Sequence, residues 1–291
     1  MSRLKRVIVY FRFTKPRVWA LLVFIGVIPA IIAIPSFNLQ YSLRLIFVAL
    51  ALAAGSAGAE AVTNYLDRDI DARMTRTKMR PMVTGEVNPT FAVSSGILLI
   101  SIAIAIPLSM GRFLAGAFMA TGIIDNVIVY SYLLKRRTPW SVIFGGFSGG
   151  APVLVGWYMI SSISSLIPWF LFILVIVWIP IHIWSLAFIY RDDYARAGVP
   201  MLPVICSKNT SAKFISLSAL LLAFFSFIPV FLGYERLIYM VLVTILAVPL
   251  LFTTWRFLRK RDGGASFSLF KYSNPYLAGL FLAFTLMHLL S

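Results

Sequence analysis

The sequence predicts an all-α integral membrane protein of about nine transmembrane helices with its N-terminus in the cytoplasm. Three observations carry that prediction. First, 60% of the 291 residues are hydrophobic and only 12% are charged, with a mean hydropathy of +0.90, outside the range of water-soluble domains. Second, apolar runs of about 20 residues, long enough to cross a hydrocarbon core, recur along the chain. Third, the formal net charge of +16 is unevenly placed. Of 26 Lys and Arg, 23 lie up to Arg17 or within 67–89, 135–137, 191–213 and 256–271, and the alternate connections hold only Arg44, Arg112 and Arg236. Bases concentrated in every second connection mark the cytoplasmic side. Nucleic-acid binding is then not needed to explain the charge, and nine spans leave the C-terminus outside. Cys206 is the only cysteine, which excludes an internal disulfide and a Cys-based metal cluster. No clear cleavage site follows the first apolar run, so the expectation is a single polytopic domain over 1–291 in the cell membrane.

The predicted spans are 17–34, 42–66, 90–109, 113–134, 141–160, 166–190, 211–232, 237–257 and 272–290. The first carries Pro29 and Pro35 toward its outer end and reads as structural. In the second, Gly55, Ser56, Gly58 and Ala59 precede Glu60, so a neighbour or ligand can approach the backbone closely. That span runs into the densest polar stretch, from Glu60 to Pro81. At about 100° per residue, Glu60, Asn64, Asp67 and Asp71 share one helical stripe. Asp69 falls opposite, four residues before Arg73, with which it can pair. Oxygen ligands on one helix face suit a hard cation such as Mg²⁺. Arg76, Lys78 and Arg80 follow, alternating with Thr and Met, as an anion-binding loop would. Acids for a metal beside bases for an anion suggest a metal–diphosphate site. The alternative is a solvated loop, against which stand the polar groups continuing to membrane depth.

The fourth span contains Asp125 and Asn126. Asp125, Tyr132 and Arg136 share a face, so Asp125 either orients Arg136, lines a cavity, or makes an interhelical hydrogen bond. The basic turn Lys135-Arg-Arg137 is explained by orientation alone. The fifth span opens Phe144-Gly-Gly-Phe-Ser-Gly-Gly-Ala-Pro152, where glycines four apart imply tight helix packing, or a helix broken at 149–152 beside a cavity. If the sixth span continues as helix, His182, Ser185, Ile189 and Asp193 share a face. His182 there is a packing residue, a ligand or a proton carrier. Asp193 with Arg191 and Arg196 repeats the pattern of an apolar helix ending in acids and bases, which suggests an ancient duplication. The last three spans bring only Glu235, Asp262 and His288, with no site to propose.

Asn64-Tyr-Leu-Asp-Arg-Asp-Ile-Asp71 followed by Arg76-Thr-Lys-Met-Arg-Pro81 resembles the first aspartate motif of the UbiA-type intramembrane prenyltransferases. Leu134-Lys-Arg-Arg-Thr-Pro139 with the Gly-rich run to Gly156-Trp157 is similar to the haem O synthase branch of that family. So is His182-Ile-Trp-Ser-Leu-Ala187 leading to Asp193-Tyr-Ala-Arg-Ala-Gly-Val-Pro-Met-Leu-Pro203. The resemblance runs from about residue 14 to 208. Thr63, Ser141 and Ile179-Pro-Ile-His182 depart from the usual Asn, Asn and Thr-Pro-Pro-His.

The resemblance implies nine helices around a central cavity and transfer of a farnesyl group from Mg²⁺-bound farnesyl diphosphate to a vinyl group of haem B, with water quenching the cation. It implies Asn64, Asp67, Asp71 and Asp193 as metal ligands, and Arg76, Lys78 and Arg80 on the leaving diphosphate. Lys135, Arg136, Arg137, Arg191 and Arg196 would then meet the haem propionates, and His182 would ligate iron, polarise the water or pack. The same chemistry on a quinone precursor or glycerophosphate lipid is the nearest alternative. A secondary transporter would place its decisive polar groups nearer the midplane.

Overall fold

A computed structural model describes residues 3–231 and 236–290, which include no strand. Glu235 lies outside the described residues. The short leading helix α1 (Arg3–Phe13) is followed by α2 (Pro16–Ile32) and α3 (Leu39–Leu66). A six-residue helix, α4 (Arg68–Arg73), precedes α5 (Pro89–Ser109). Helix α6 (Phe113–Ile124) continues directly as a π-helix over Asp125–Leu134, in which each N–H reaches back five residues, so that Lys135 N–H donates to Tyr130 O at 2.8 Å. Next come α7 (Ser141–Phe144), α8 (Gly146–Ile160), α9 (Leu166–Ile189) and the six-residue α10 (Arg191–Arg196). After α11 (Leu202–Ile205), α12 (Lys208–Ser226) and α13 (Ile228–Phe231), two long helices, α14 (Arg236–Lys260) and α15 (Gly263–Leu290), complete the described chain.

Among the described residues seven helical stretches are long and apolar enough to cross a membrane. The other two predicted spans coincide with α2, an apolar helix of 17 residues, and with the C-terminal part of α15. Large apolar side chains such as Phe47, Phe91, Ile102, Phe224 and Leu251 stand exposed on the outer faces, which is stable only against lipid. The protein is therefore a multi-pass membrane protein. Helices adjacent in sequence pack side by side, and α15 returns against α2, closing a ring around a cavity.

One contact fixes how tightly the ring closes. A Cβ added to Gly156 in α8 would fall on the backbone oxygen of Gly26 in α2, and one added to Gly26 would strike Leu52 and the Pro152 carbonyl. Only glycine lets these two backbones touch. The Gly-rich run thus serves packing: Gly149 and Gly150 meet Ile179 and Phe172 of α9. The stretch 149–152 does border a cavity, but the helix is not broken there: α8 runs on through Pro152. The discontinuity falls earlier, at Gly145, between α7 and α8.

Two long helices end in the same way. Helix α3 stops at Asp67 (φ −91°, ψ 1°) and α4 begins, reading Arg-Asp-Ile-Asp-Ala-Arg. Helix α9 stops at Tyr190 (φ −101°, ψ 30°) and α10 begins, reading Arg-Asp-Asp-Tyr-Ala-Arg. The expected continuous helical stripes, from Glu60 to Asp71 and from His182 to Asp193, are therefore each interrupted by one non-helical residue.

Candidate active site

Restarting the helix at Arg68 re-aims the acids. Asp67 Oδ2 meets Lys135 Nζ at 2.5 Å, and Asp71 Oδ2 meets Arg80 Nη1 at 2.6 Å. Both carboxylates are buried, with side chains 8% and 5% exposed. From the second break, Asp193 pairs with Arg196 and accepts the Arg76 backbone N–H at 3.3 Å. Arg76 lies exposed with its guanidinium 5.3 Å from the Tyr190 ring centroid. The loop after α4 is thus tied to α10, which brings the two polar clusters together, although Asp193 itself does not line the mouth described below.

Asp69 does not pair with Arg73. Its two oxygens take both ends of the Arg136 guanidinium, at 2.6 and 2.7 Å, and Arg136 also donates to Leu66 O. The new helix start at Arg68 and the fork geometry of arginine favour that partner. The Arg136 hydrogen bond holds the Asp69 carboxyl down at about 2. Asp125 does not orient Arg136 either; the π-helix changes the spacing between them, and Asp125 Oδ2 accepts the Ser148 backbone N–H at 2.8 Å across to α8. Burial opposes the charge on Lys135, but the adjacent Asp67 carboxylate outweighs it and raises its pKa.

The remaining basic residues scatter. Arg191 donates to Cys206 O at 3.3 Å, Arg196 also reaches Thr75 Oγ1 at 3.1 Å, and Lys78 and Arg137 are exposed. Lys135 sits on Asp67 inside the mouth rather than on an outer rim with them.

Asp67, Asp71, Arg76, Arg80 and Lys135 line a mouth pocket of about 200 Å³ together with Lys15 and Glu60. Lys15 Nζ and Glu60 Oε2 are 2.5 Å apart. Below lies a chamber of about 580 Å³, walled by Leu21, Leu22, Leu52, Phe118, Met119 and Trp178. Glu60, Asn126, Tyr130 and Ile183 line both spaces and form the throat between them. Asn64 Nδ2 donates to Phe13 O at 2.8 Å, but Asn64 Oδ1 and Asp67 Oδ1 are buried without a hydrogen-bond partner. Oxygen atoms left without donors beside two carboxylates fit a hard divalent cation. Among the described residues no three His, Cys, Asp or Glu side chains converge as a ready-made cluster, because the acids are held by bases.

On the chamber wall, beside the throat residue Ile183, His182 is stacked between Trp178 and Phe270, with ring centroids 4.4 and 4.5 Å away. Its Nδ1 lies 3.0 Å from Ser273 Oγ. Asn274 also lines the chamber. Lys15, Tyr130, Ser273 and Asn274 are site-lining or site-adjacent residues that no sequence motif marks. Lys15 precedes Pro16 and adopts a left-handed backbone (φ 52°) that no composition signal marks.

The chain was compared with known proteins. Residues 20–284 match the UbiA prenyltransferase family. The chain is 53% identical over 277 residues to protoheme IX farnesyltransferase of Thermoplasma volcanium, covering 95% of this chain and 96% of the relative. It is 51% identical to the enzyme of that name from Thermoplasma acidophilum, with the same coverage. Among solved structures it resembles a digeranylgeranylglyceryl phosphate synthase (TM-score 0.79, 16% identity, 99% of this chain and all of that one). It also resembles a UbiA homologue from Archaeoglobus fulgidus bound to DMAPP and Mg²⁺ (TM-score 0.72, 18% identity, 94% and 98%). At those identities the structural likeness speaks for the fold, while the near-complete sequence matches speak for descent, and on them the chain belongs to the UbiA prenyltransferase family.

Proposed function

We propose that this protein transfers a farnesyl group from farnesyl diphosphate to a vinyl group of haem B, giving haem O. One juxtaposition supports it best: a mouth of paired acids and bases opens through a narrow throat into an apolar chamber. A diphosphate suits the first and a prenyl chain the second, whose 580 Å³ falls within the size range of small-molecule cavities, about 300–1,000 Å³. The acceptor is supported by the relatives at 51–53% identity, each named protoheme IX farnesyltransferase. We take all nine predicted spans to cross the membrane, with the N-terminus and the mouth on the cytoplasmic side.

Asn64, Asp67, Asp71 and Asp193 would hold Mg²⁺, which when bound draws electron density from the diphosphate oxygens. Lys135 and Arg80 have a role besides neutralising the carboxylates. With a metal held by those carboxylates, Lys135 and Arg80 would be free to turn to a diphosphate, where prepositioned cations would meet the negative charge gathering on the leaving group. Arg76, which lines the mouth, and Lys78, exposed on the same loop, would complete that surround. The apolar walls hold the chain and exclude bulk water from the allylic cation. Arg136, Arg137, Arg191 and Arg196 lie toward the charged end and would meet the propionates.

The test is incubation of purified protein with haem B, farnesyl diphosphate and Mg²⁺, followed by mass analysis. A haem heavier by one farnesyl group and one hydroxyl group is expected. Prenylation of a quinone precursor or glycerophosphate with haem unchanged would overturn the acceptor, and no prenyl transfer at all would overturn the reaction.

A further inference from the structure

The chamber ends, away from the mouth, in a floor of which only one part can give. Its lining on α3 runs from Glu60 at the throat to Leu52, eight residues and about 12 Å deeper. At that depth α2 and α8 meet backbone to backbone: a Cβ on Gly156 would fall on Gly26 O, and one on Gly26 would strike Leu52 Cδ1 and Pro152 O. Leu52 and Pro152 line the chamber and the two glycines do not, so this contact seals it from below. On the α6 side the floor is a side chain. Met119 is buried, lines the chamber, and has its Sδ 2.8 Å from where a Cβ on Gly55 would stand. Gly55 thus leaves the room that the thioether occupies. Ala103 Cβ is 3.3 Å from the same point, and Ala115 lies one turn further from the throat on α6. Both are fully buried and outside the chamber lining. The adjacent Phe118 is braced, stacked on Tyr158 at 5.5 Å and edge-on to Trp169 at 5.9 Å. Met119, unbranched and flexible, is the movable piece of the floor, with small residues behind it.

We propose that Met119 sets the length of prenyl chain this protein accepts, as the stop on which the far end of the chain comes to rest. The proposal rests on the reading argued above, with the diphosphate in the mouth and the chain in the chamber. The charged end is then fixed among the acids and bases of the mouth, and the seal at Gly26 and Gly156 leaves no way on past Leu52. Length is measured between those two limits. A chain that reaches Met119 buries its last isoprene unit against the thioether. A shorter chain leaves unfilled space there and forfeits those contacts. A longer one has to displace Met119 or draw its diphosphate out of register with the mouth. A diphosphate out of register loses its alignment for the reaction as well as its contacts, so the wrong length is penalised in turnover and not in binding alone.

The experiment gives purified protein, haem B and Mg²⁺ an equimolar mixture of geranyl, farnesyl and geranylgeranyl diphosphates, and resolves the haem products by mass. A ratio of products from one reaction does not depend on how much of a variant folds. The unaltered protein should favour farnesyl. Met119→Ala opens the floor toward Ala103 and Ala115 and should raise the geranylgeranyl-to-farnesyl ratio at least about tenfold, the lower end of what one methylene decides in an apolar pocket. Gly55→Ala takes the space of the thioether and forces Met119 to shift, and should raise the geranyl-to-farnesyl ratio by a similar factor. Leu21→Ala widens the wall on α2 about 7.5 Å nearer the mouth than Gly26, and should move neither ratio. If Met119→Ala does not fold, Gly55→Ala against Leu21→Ala decides. Equal use of the three diphosphates by the unaltered protein would overturn the stop, because the chain would then leave the chamber by its side. Unaltered ratios in the Met119 and Gly55 variants, or a shift in Leu21→Ala as large as theirs, would overturn it too and leave the transfer intact. No prenylated haem from the unaltered protein with any of the three would overturn the transfer, and the stop with it.

Discussion

Replacing Lys135 by Met should damage the protein before any substrate is added. The Lys135 and Asp67 side chains are 14% and 8% exposed, and their charged atoms are 2.5 Å apart. Removing one member of such a buried pair leaves the other charge without compensation, a loss of about 3–5 kcal/mol. Little else can take over: Asp67 Oδ1 already lacks a partner. Asp67→Asn should harm the ligand-free protein similarly, leaving Lys135 with only the Tyr130 ring at 5.8 Å. Removing both charges is different, because exchanging a buried pair for neutral groups is often close to neutral. Lys135→Met with Asp67→Asn should therefore recover most of the lost stability and none of the transfer activity. Thermal unfolding of the ligand-free protein in detergent, beside the transfer assay, measures both halves. The reasoning fails if Lys135→Met melts with the unaltered protein, or if the double variant is no more stable than the worse single one.

Asp67→Ala and Asp71→Ala should each abolish transfer. Asp69→Ala should retain most of it and cost no more than about 1 kcal/mol, since the Asp69–Arg136 pair is half exposed; an inactive Asp69 variant would sink the division between the acids. Gly156→Ala should destabilise the protein by at least about 1–3 kcal/mol by forcing α8 off Gly26, read as lower yield of folded protein and a lower melting temperature. Mg²⁺ and an uncleavable diphosphate analogue should bind far more tightly together than apart, because each must displace the other's future partners. Calorimetry that finds independent affinities would refute the exchange of ion pairs. Reporter fusions after Arg76, Lys135, Lys208 and Arg261 should all report cytoplasm, and a single inverted one would overturn the topology.

The membrane class and helix positions were legible because lipid rewards apolar length and little else, so composition carried them. Asp67, Asp71 and Asp193 stood out as acids beside apolar runs, and the structure brings them to one end of the ring. Their partners were not legible. The choice of Arg136 over Arg73 for Asp69 depends on a helix ending one residue early at Asp67, and the side-chain pattern across 60–71 reads as continuous. Ser273 and Asn274 were hidden for a different reason. Each is a small polar residue in an apolar span, and only the fold brings them beside His182, 91 residues from Ser273 in sequence.

The π-helix over Asp125–Leu134 limits how the length of this segment can change. Nine residues separate Asn126 from Lys135, and at about 100° each an α-helix would put them on opposite sides. The wider turn, about 4.4 residues, brings both to the site side together. Deleting one residue between them and letting the stretch relax to ordinary α-helix would leave eight steps of about 100°, turning Lys135 about 80° away from Asn126. The segment would still be long enough to cross the membrane, but Lys135 would be turned off the face that carries Asn126 and away from Asp67. A deletion here therefore breaks the buried Lys135–Asp67 pair and the lining that Lys135 shares with Asn126, so length in this segment is a functional character in its own right.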